Sequence, residues 1–152
     1  MIAAIPRPAL ALGLLGLSPF VYGAAAAHWR GLEIAYAPPL MIMEVYGPVI
    51  FAYMGGVFWG FACGANRAGG RAGWRWLGLA AAPALFIFLA LFIAPGEAVP
   101  ILLFAFPALL PIDFVFWRAR LAPRWWLSLR FVLTALVTGC LWVAAEGAGF
   151  AL

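Results

Sequence analysis

Asp113 is the residue of this chain with the most chemistry available to it. It stands alone in a long apolar run, two residues after Pro111 and six after Pro107. Each proline removes a backbone hydrogen bond and can kink a helix, so freed carbonyls need partners as well as the carboxylate. A carboxylate in apolar surroundings either pairs with a cation or handles protons, ions or a polar substrate. Arg118, Arg120 and Arg130 are the candidate cations, and Arg130 opens the next apolar run at a similar depth. An ion pair between Asp113 and Arg130, joining two helices, is the leading expectation. A proton or substrate contact is the alternative.

The other polar residues are few. There is no Lys and no Gln; His28 and Asn66 are single, and Ser18, Ser128, Thr134 and Thr138 are the only small hydroxyls. Glu44 begins an apolar run, where it can pair with Arg30 or accept a hydrogen bond from Tyr46 or His28. An interfacial carboxylate is the first expectation there, and a proton or ion site the second. Thr134 and Thr138 lie four apart on one helix face, and such hydroxyls commonly bond back to the carbonyls of the preceding turn. One histidine excludes a bis-histidine haem, and its neighbour Trp29 marks it as interfacial. No metal-ligand spacing and no nucleophile–base pair is present. Catalytic residues, a cofactor and a metal ion are therefore not expected. Cys63 and Cys140 are too few for a disulfide framework and are expected in opposite halves of the bilayer.

Composition identifies the elements that position these groups. Of the 152 residues, 68% are hydrophobic and 9% charged, with a mean hydropathy of +1.08. Soluble domains carry roughly 25% charged residues. A water-soluble enzyme, a nucleic-acid-binding domain and a disordered tail are excluded, because none of them could clothe itself in so little polarity. The apolar residues come in long runs rather than in alternation, which indicates helices and not a barrel. Five runs approach the ~20 residues of a spanning helix: about 9–29, 40–64, 76–94, 99–117 and 127–145. The expected fold is all-α, one integral membrane domain over 1–152 with five transmembrane helices. The first run resembles a cleavable signal peptide, with Arg7 before it and Ala24 to Ala27 near its end. Pro19-Phe20-Val21-Tyr22 carries it past a usual signal core, so retention is expected.

Orientation follows from the arginines. With five crossings, Arg7, Arg67, Arg71, Arg75, Arg118, Arg120, Arg124 and Arg130 fall on one side, and of the nine basic residues only Arg30 falls on the other. The positive-inside rule makes the N-terminus cytoplasmic and the C-terminus extracytoplasmic. Trp74, Trp76, Trp117, Trp125 and Trp126 then cluster at the cytoplasmic interface, where anchoring is the default role.

The second apolar run is the most unusual. Ala52, Gly56, Gly60 and Gly64 recur every four residues and form one smooth stripe, flanked by Gly55 and Trp59. In lipid, small residues let helix backbones approach closely. A contact with another helix of the same bundle is the first expectation. Docking onto a partner protein or a flat prosthetic group is the second.

Three blocks carry a resemblance. Leu14-Leu15-Gly16-Leu17-Ser18-Pro19-Phe20, the run from Tyr46-Gly47 to Gly55-Gly56-Val57-Phe58-Trp59-Gly60, and Asp113 with Pro123-Arg124-Trp125-Trp126 through Thr134 are similar to the transmembrane protein 69-like family. Tyr53-Met54 departs from that pattern, where a Ser-Phe-Leu type of sequence is usual. The resemblance implies proteobacterial membrane proteins with mitochondrial relatives, and no enzymatic activity to transfer.

The functional expectation is a non-catalytic accessory or assembly subunit of a larger respiratory or photosynthetic complex in the bacterial inner membrane, docking through the glycine stripe. Membrane lipid and other integral membrane subunits are its expected partners, a homo-oligomer is compatible, and nucleic acid is not expected. The alternatives are a small-solute transporter or channel lined by Asp113, Glu44, Thr134 and Thr138, and a lipid- or quinone-binding protein using Asp113, Arg118, Arg120 and Arg130.

Overall fold

The computed structural model describes residues 4–29, 38–67 and 73–149. Among these described residues, seven helices make five spans: α1 (Arg7–Gly16), α2 (Ser18–His28), α3 (Pro39–Arg67), α4 (Trp74–Ile93), α5 (Ala98–Ala108), α6 (Leu110–Arg118) and α7 (Trp126–Ala148). The spans are Arg7–His28, Leu40–Gly64, Trp74–Ile93, Ala98–Arg118 and Trp126–Ala148, all long and apolar enough to cross a membrane. They fall within a few residues of the apolar runs in the sequence.

Two spans are broken, and proline accounts for both. Pro19 has no N–H to offer the carbonyl of Leu15, and the Ser18 hydroxyl donates to that carbonyl instead at 2.7 Å. The Phe20 N–H bonds to Leu17, which frees the carbonyl of Gly16. The Tyr46 hydroxyl of α3 donates to it at 3.0 Å. In hydrocarbon an unpaired carbonyl costs several kcal/mol, so these hydroxyls make the break tolerable. The second break is at Leu109, between Pro107 and Pro111, where the Leu109 N–H bonds back to Phe106 in a tight turn.

The helices pack with α3 and α4 as a close hairpin and with α7 laid against α2, α5 and α6. The inward face of α3 is Met43, Gly47, Phe51, Met54, Phe58 and Ala62. Phe58 stacks on Phe116 with ring centroids 5.1 Å apart, while Phe20 and Phe51 meet Phe106 edge to face. The outer surface is as apolar as the core: Phe88, Phe92 and Ile93 of α4 are exposed. That inversion suits a chain whose solvent is lipid.

Both ends of the bundle are tied. Phe61 near the end of α3 meets Trp126 at the start of α7, and Trp76 at the start of α4 meets Phe116 in α6. At the opposite end Gly147 lies against His28 and the carbonyl of Ala27. The spans therefore carry Arg7, Arg75, Arg118, Arg120 and Arg124 at one end and Glu97 and Glu146 at the other. Arg30 and Arg71 lie outside the described residues.

Candidate functional site

Asp113 sits in the first turn of α6, and its N–H bonds to the carbonyl of Leu109 at the break. The break thus aims the residue that follows it. Beyond α6 the chain reverses between Ala119 and Trp125. Arg120 takes a left-handed φ of 59°, and the N–H groups of Leu121 and Ala122 both bond to the carbonyl of Phe116. This turn starts α7 at Trp126 and lays its first turns over α6.

The result is a three-residue centre in the bundle interior. The Trp126 Nε1–H donates to Asp113 Oδ1 at 2.6 Å, and the Arg130 Nε–H donates to Asp113 Oδ2 at 2.8 Å. Asp113 is fully buried and Arg130 only 4% exposed. Each carboxylate oxygen has a donor, and the two charges cancel, as burial in a low-dielectric interior requires. Charge-assisted bonds of this length are about twice as strong as neutral ones.

The centre is not fully satisfied on the arginine side. Arg130 Nη2, Thr134 Oγ1 and Thr138 Oγ1 are buried without a hydrogen-bond partner. The expectation that the threonine hydroxyls bond back to their own helix is therefore corrected. An orphaned buried donor costs about 1–3 kcal/mol, and the three residues that carry these atoms share one face of α7.

A cavity of about 300 Å³ lies beside them. Arg130 and Thr134 line it from α7, Gly13 and Gly16 from α1, and Met54 from α3. Leu12 of α1 and Tyr53 of α3 also line it, and both are more than 60% exposed on the outer surface. The cavity thus reaches the bilayer between α1 and α3. Helix α1 buries none of its own residues and closes the cavity as a thin wall, with Gly13 pressed against Leu133. Residues from all three sequence blocks meet here. A second groove of about 150 Å³ among Phe51, Pro83, Phe86 and Leu109 is lined by apolar residues only.

The remaining sequence candidates are distributed as follows. Arg118 is exposed at the end of α6 and takes no part in the Asp113 pair. Glu44 is half-buried in α3 near the opposite end, and the Tyr46 hydroxyl is committed to Gly16 rather than to it. Arg30 falls outside the described residues. Neither Glu44 nor Asp113 lines this cavity. The glycine stripe is also corrected as an internal contact. A Cβ at Gly56, Gly60 or Gly64 would meet nothing within 4 Å, whereas at Gly55 it would lie 2.8 Å from the carbonyl oxygen of Ala80. Gly55 is the close approach between α3 and α4. Ala52 is half-buried against the core, and Trp59 is exposed.

Among the described residues no group of three His, Cys, Asp or Glu could hold a metal ion. Cys63 and Cys140 are both free thiols. The sequence reading missed Trp126 as a donor, assigning it to the interfacial belt. The available signal was spacing: Trp126, Arg130, Thr134 and Thr138 recur every four residues and share one face.

Comparison with known proteins adds three findings. The family model described as Protein of unknown function (DUF3429) matches residues 5–146. Transmembrane protein 69 of Xenopus tropicalis is 34% identical over 134 residues, which cover 86% of this chain and 51% of that protein. The chain thus spans about half the length of that curated relative. No solved structure matches.

Proposed function

The chain belongs to the family Protein of unknown function (DUF3429), and from that premise we propose that it is a non-catalytic membrane protein that takes a lipid-soluble molecule from the bilayer into the cavity beside Arg130. One observation carries this reading. The cavity combines apolar walls, an exposed flank at Leu12 and Tyr53, and two buried polar atoms without partners on its lining residues. Binding sites for small molecules have that character, mostly apolar with a few placed polar groups, and run from about 300 to 1,000 Å³. Nothing in the described residues supplies an activated nucleophile or a general base in the cavity, so binding rather than turnover is the reading.

The test is extraction. Protein purified from native membranes in mild detergent carries a lipophilic species at near-stoichiometric amount by mass spectrometry. Val137→Trp, which fills the cavity, loses it while keeping a cooperative thermal transition. The same species in equal amount on both proteins, or none above detergent background on either, overturns the reading.

A second reading is favoured by a different observation. Gly56, Gly60 and Gly64 leave an open strip on α3, with exposed Trp59 beside it. Glycine in a helix costs about 1 kcal/mol relative to alanine, and among the described residues no close contact at these three positions offsets it. Such a strip suits the close approach of a helix from another integral membrane subunit. The chain would then be an accessory or assembly subunit of a larger complex in the bacterial inner membrane. Gly60→Leu is expected to remove a copurifying chain without lowering the thermal stability of the protein itself. Unchanged copurification would sink the docking role of the strip.

A further inference from the structure

We infer that the molecule taken up by the cavity is electrically neutral and carries a carbonyl oxygen, which Arg130 Nη2 and the Thr134 hydroxyl receive. The inference rests on the cavity-binding reading and narrows it to a ligand class.

The first argument is donor inventory. A guanidinium nitrogen can only donate. Arg130 Nη2 is buried without a partner, and Thr134, one helical turn further on and also 4% exposed, holds a second unpartnered polar atom. Both residues line the cavity. The missing partner is therefore an acceptor, and the two residues that would receive it stand one turn apart on α7.

The second argument is charge. Arg130 is the one charged residue among those lining the cavity, and its charge is already balanced by Asp113. A carboxylate or phosphate in the cavity would leave the site with a net negative charge in a low-dielectric interior, with no second cation among the lining residues to meet it. Arg118 lies at the helix end and does not line the cavity. A neutral carbonyl accepts the same hydrogen bonds and adds no charge.

The third argument is shape. An apolar cavity of about 150 Å³ accommodates benzene; this one, at about 300 Å³, has room for a substituted ring or for an ester group with a few methylenes. Phe20, Phe106 and Trp125 contribute aromatic walls, and the flank at Leu12 and Tyr53 leaves a hydrocarbon tail an exit into lipid. Two sources share this chemistry: the ring carbonyl of a quinone and the acyl carbonyl of a neutral ester lipid.

The experiment is equilibrium binding to delipidated full-length protein in detergent by calorimetry. The probes are a decyl-substituted benzoquinone, a neutral monoacylglycerol, oleate above its pKa, and hexadecane. The expected result is that the quinone or the ester binds at least tenfold tighter than oleate and hexadecane, and the tighter of the two names the source. Thr134→Val weakens the carbonyl probe about three- to tenfold, the effect of one net hydrogen bond, and leaves hexadecane unchanged. Arg130→Lys keeps the charge toward Asp113, loses Nη2 and weakens the same probe. Thermal transitions establish that each variant folds. Oleate binding as tightly as the carbonyl probes, or hexadecane equalling them with both variants silent, overturns the inference while leaving a lipid cavity standing. Failure of all four probes to bind overturns the cavity-binding reading itself.

Discussion

The indole N–H of Trp126 points at the carboxylate of Asp113 across a 2.6 Å hydrogen bond, with both groups buried between α6 and α7. The bond fixes one carboxylate oxygen and leaves the other for the Arg130 Nε–H at 2.8 Å. Trp126 therefore orients the ion pair, and through it the side chain of Arg130, one of the residues that line the cavity.

Trp126→Phe keeps an aromatic ring, though a smaller one, and deletes the donor. Asp113 Oδ1 is then left without a partner in the interior, and the loss is expected at about 1.5–3 kcal/mol, the range for hydrogen bonds to charged groups. Scanning calorimetry in detergent should show a clearly lower Tm. Trp74→Phe, at a residue 94% exposed, should shift stability by no more than about 0.5 kcal/mol.

Breaking the ion pair from either side strands a charge. Asp113→Leu and Arg130→Met are each expected to cost about 3–5 kcal/mol, and the double variant much less than the sum, because replacing a buried pair by apolar groups is often near neutral. A double-mutant cycle on thermal unfolding measures this. Additive losses would mean that the two residues are not coupled.

Gly55 and Gly60 are expected to respond in opposite ways. Alanine at Gly55 brings a methyl group to 2.8 Å from the backbone oxygen of Ala80, forcing α3 and α4 apart. Alanine at Gly60 meets open space and gains up to about 1 kcal/mol of helix propensity. Gly55→Ala should lower Tm and Gly60→Ala should leave it equal or higher.

The break at Pro19 depends on a hydroxyl from another span. Tyr46→Phe leaves the Gly16 carbonyl without the donor it has at 3.0 Å. The expected cost is about 1–3 kcal/mol, read as a lower Tm and faster amide exchange in α1 and α2.

Topology is testable by labelling. In a background of Cys63→Ala and Cys140→Ala, Arg124→Cys should react with a membrane-impermeant maleimide from the cytoplasmic face only, and Ala148→Cys from the opposite face only. Reaction of both from one face would refute the arrangement of five crossings.

The five spans were legible because the spanning rule depends on the length of an apolar run and on little else. The family was legible in three blocks of sequence. The Asp113–Arg130 pair was legible because opposite charges at one depth of an apolar interior have few other options. Trp126 was not, since a tryptophan near a span end has the same sequence signature whether it anchors in headgroups or donates inward. The glycine stripe was misread for a related reason. Periodicity identifies residues that share a face, and α3 carries small residues on two of them, at Gly55 and at Gly56.

The amino-acid sequence by itself determined that the chain is dissolved in lipid, where it crosses and which charges must meet. Tertiary structure alone decided which face of α3 turns inward, because Phe51, Met54, Phe58 and Ala62 find complementary volume against α4, α5 and α6 and so turn Gly56, Gly60 and Gly64 outward. It alone decided that a cavity remains beside Arg130. A void is the mismatch between surfaces brought together from distant parts of the chain, and no local pattern of residues encodes it.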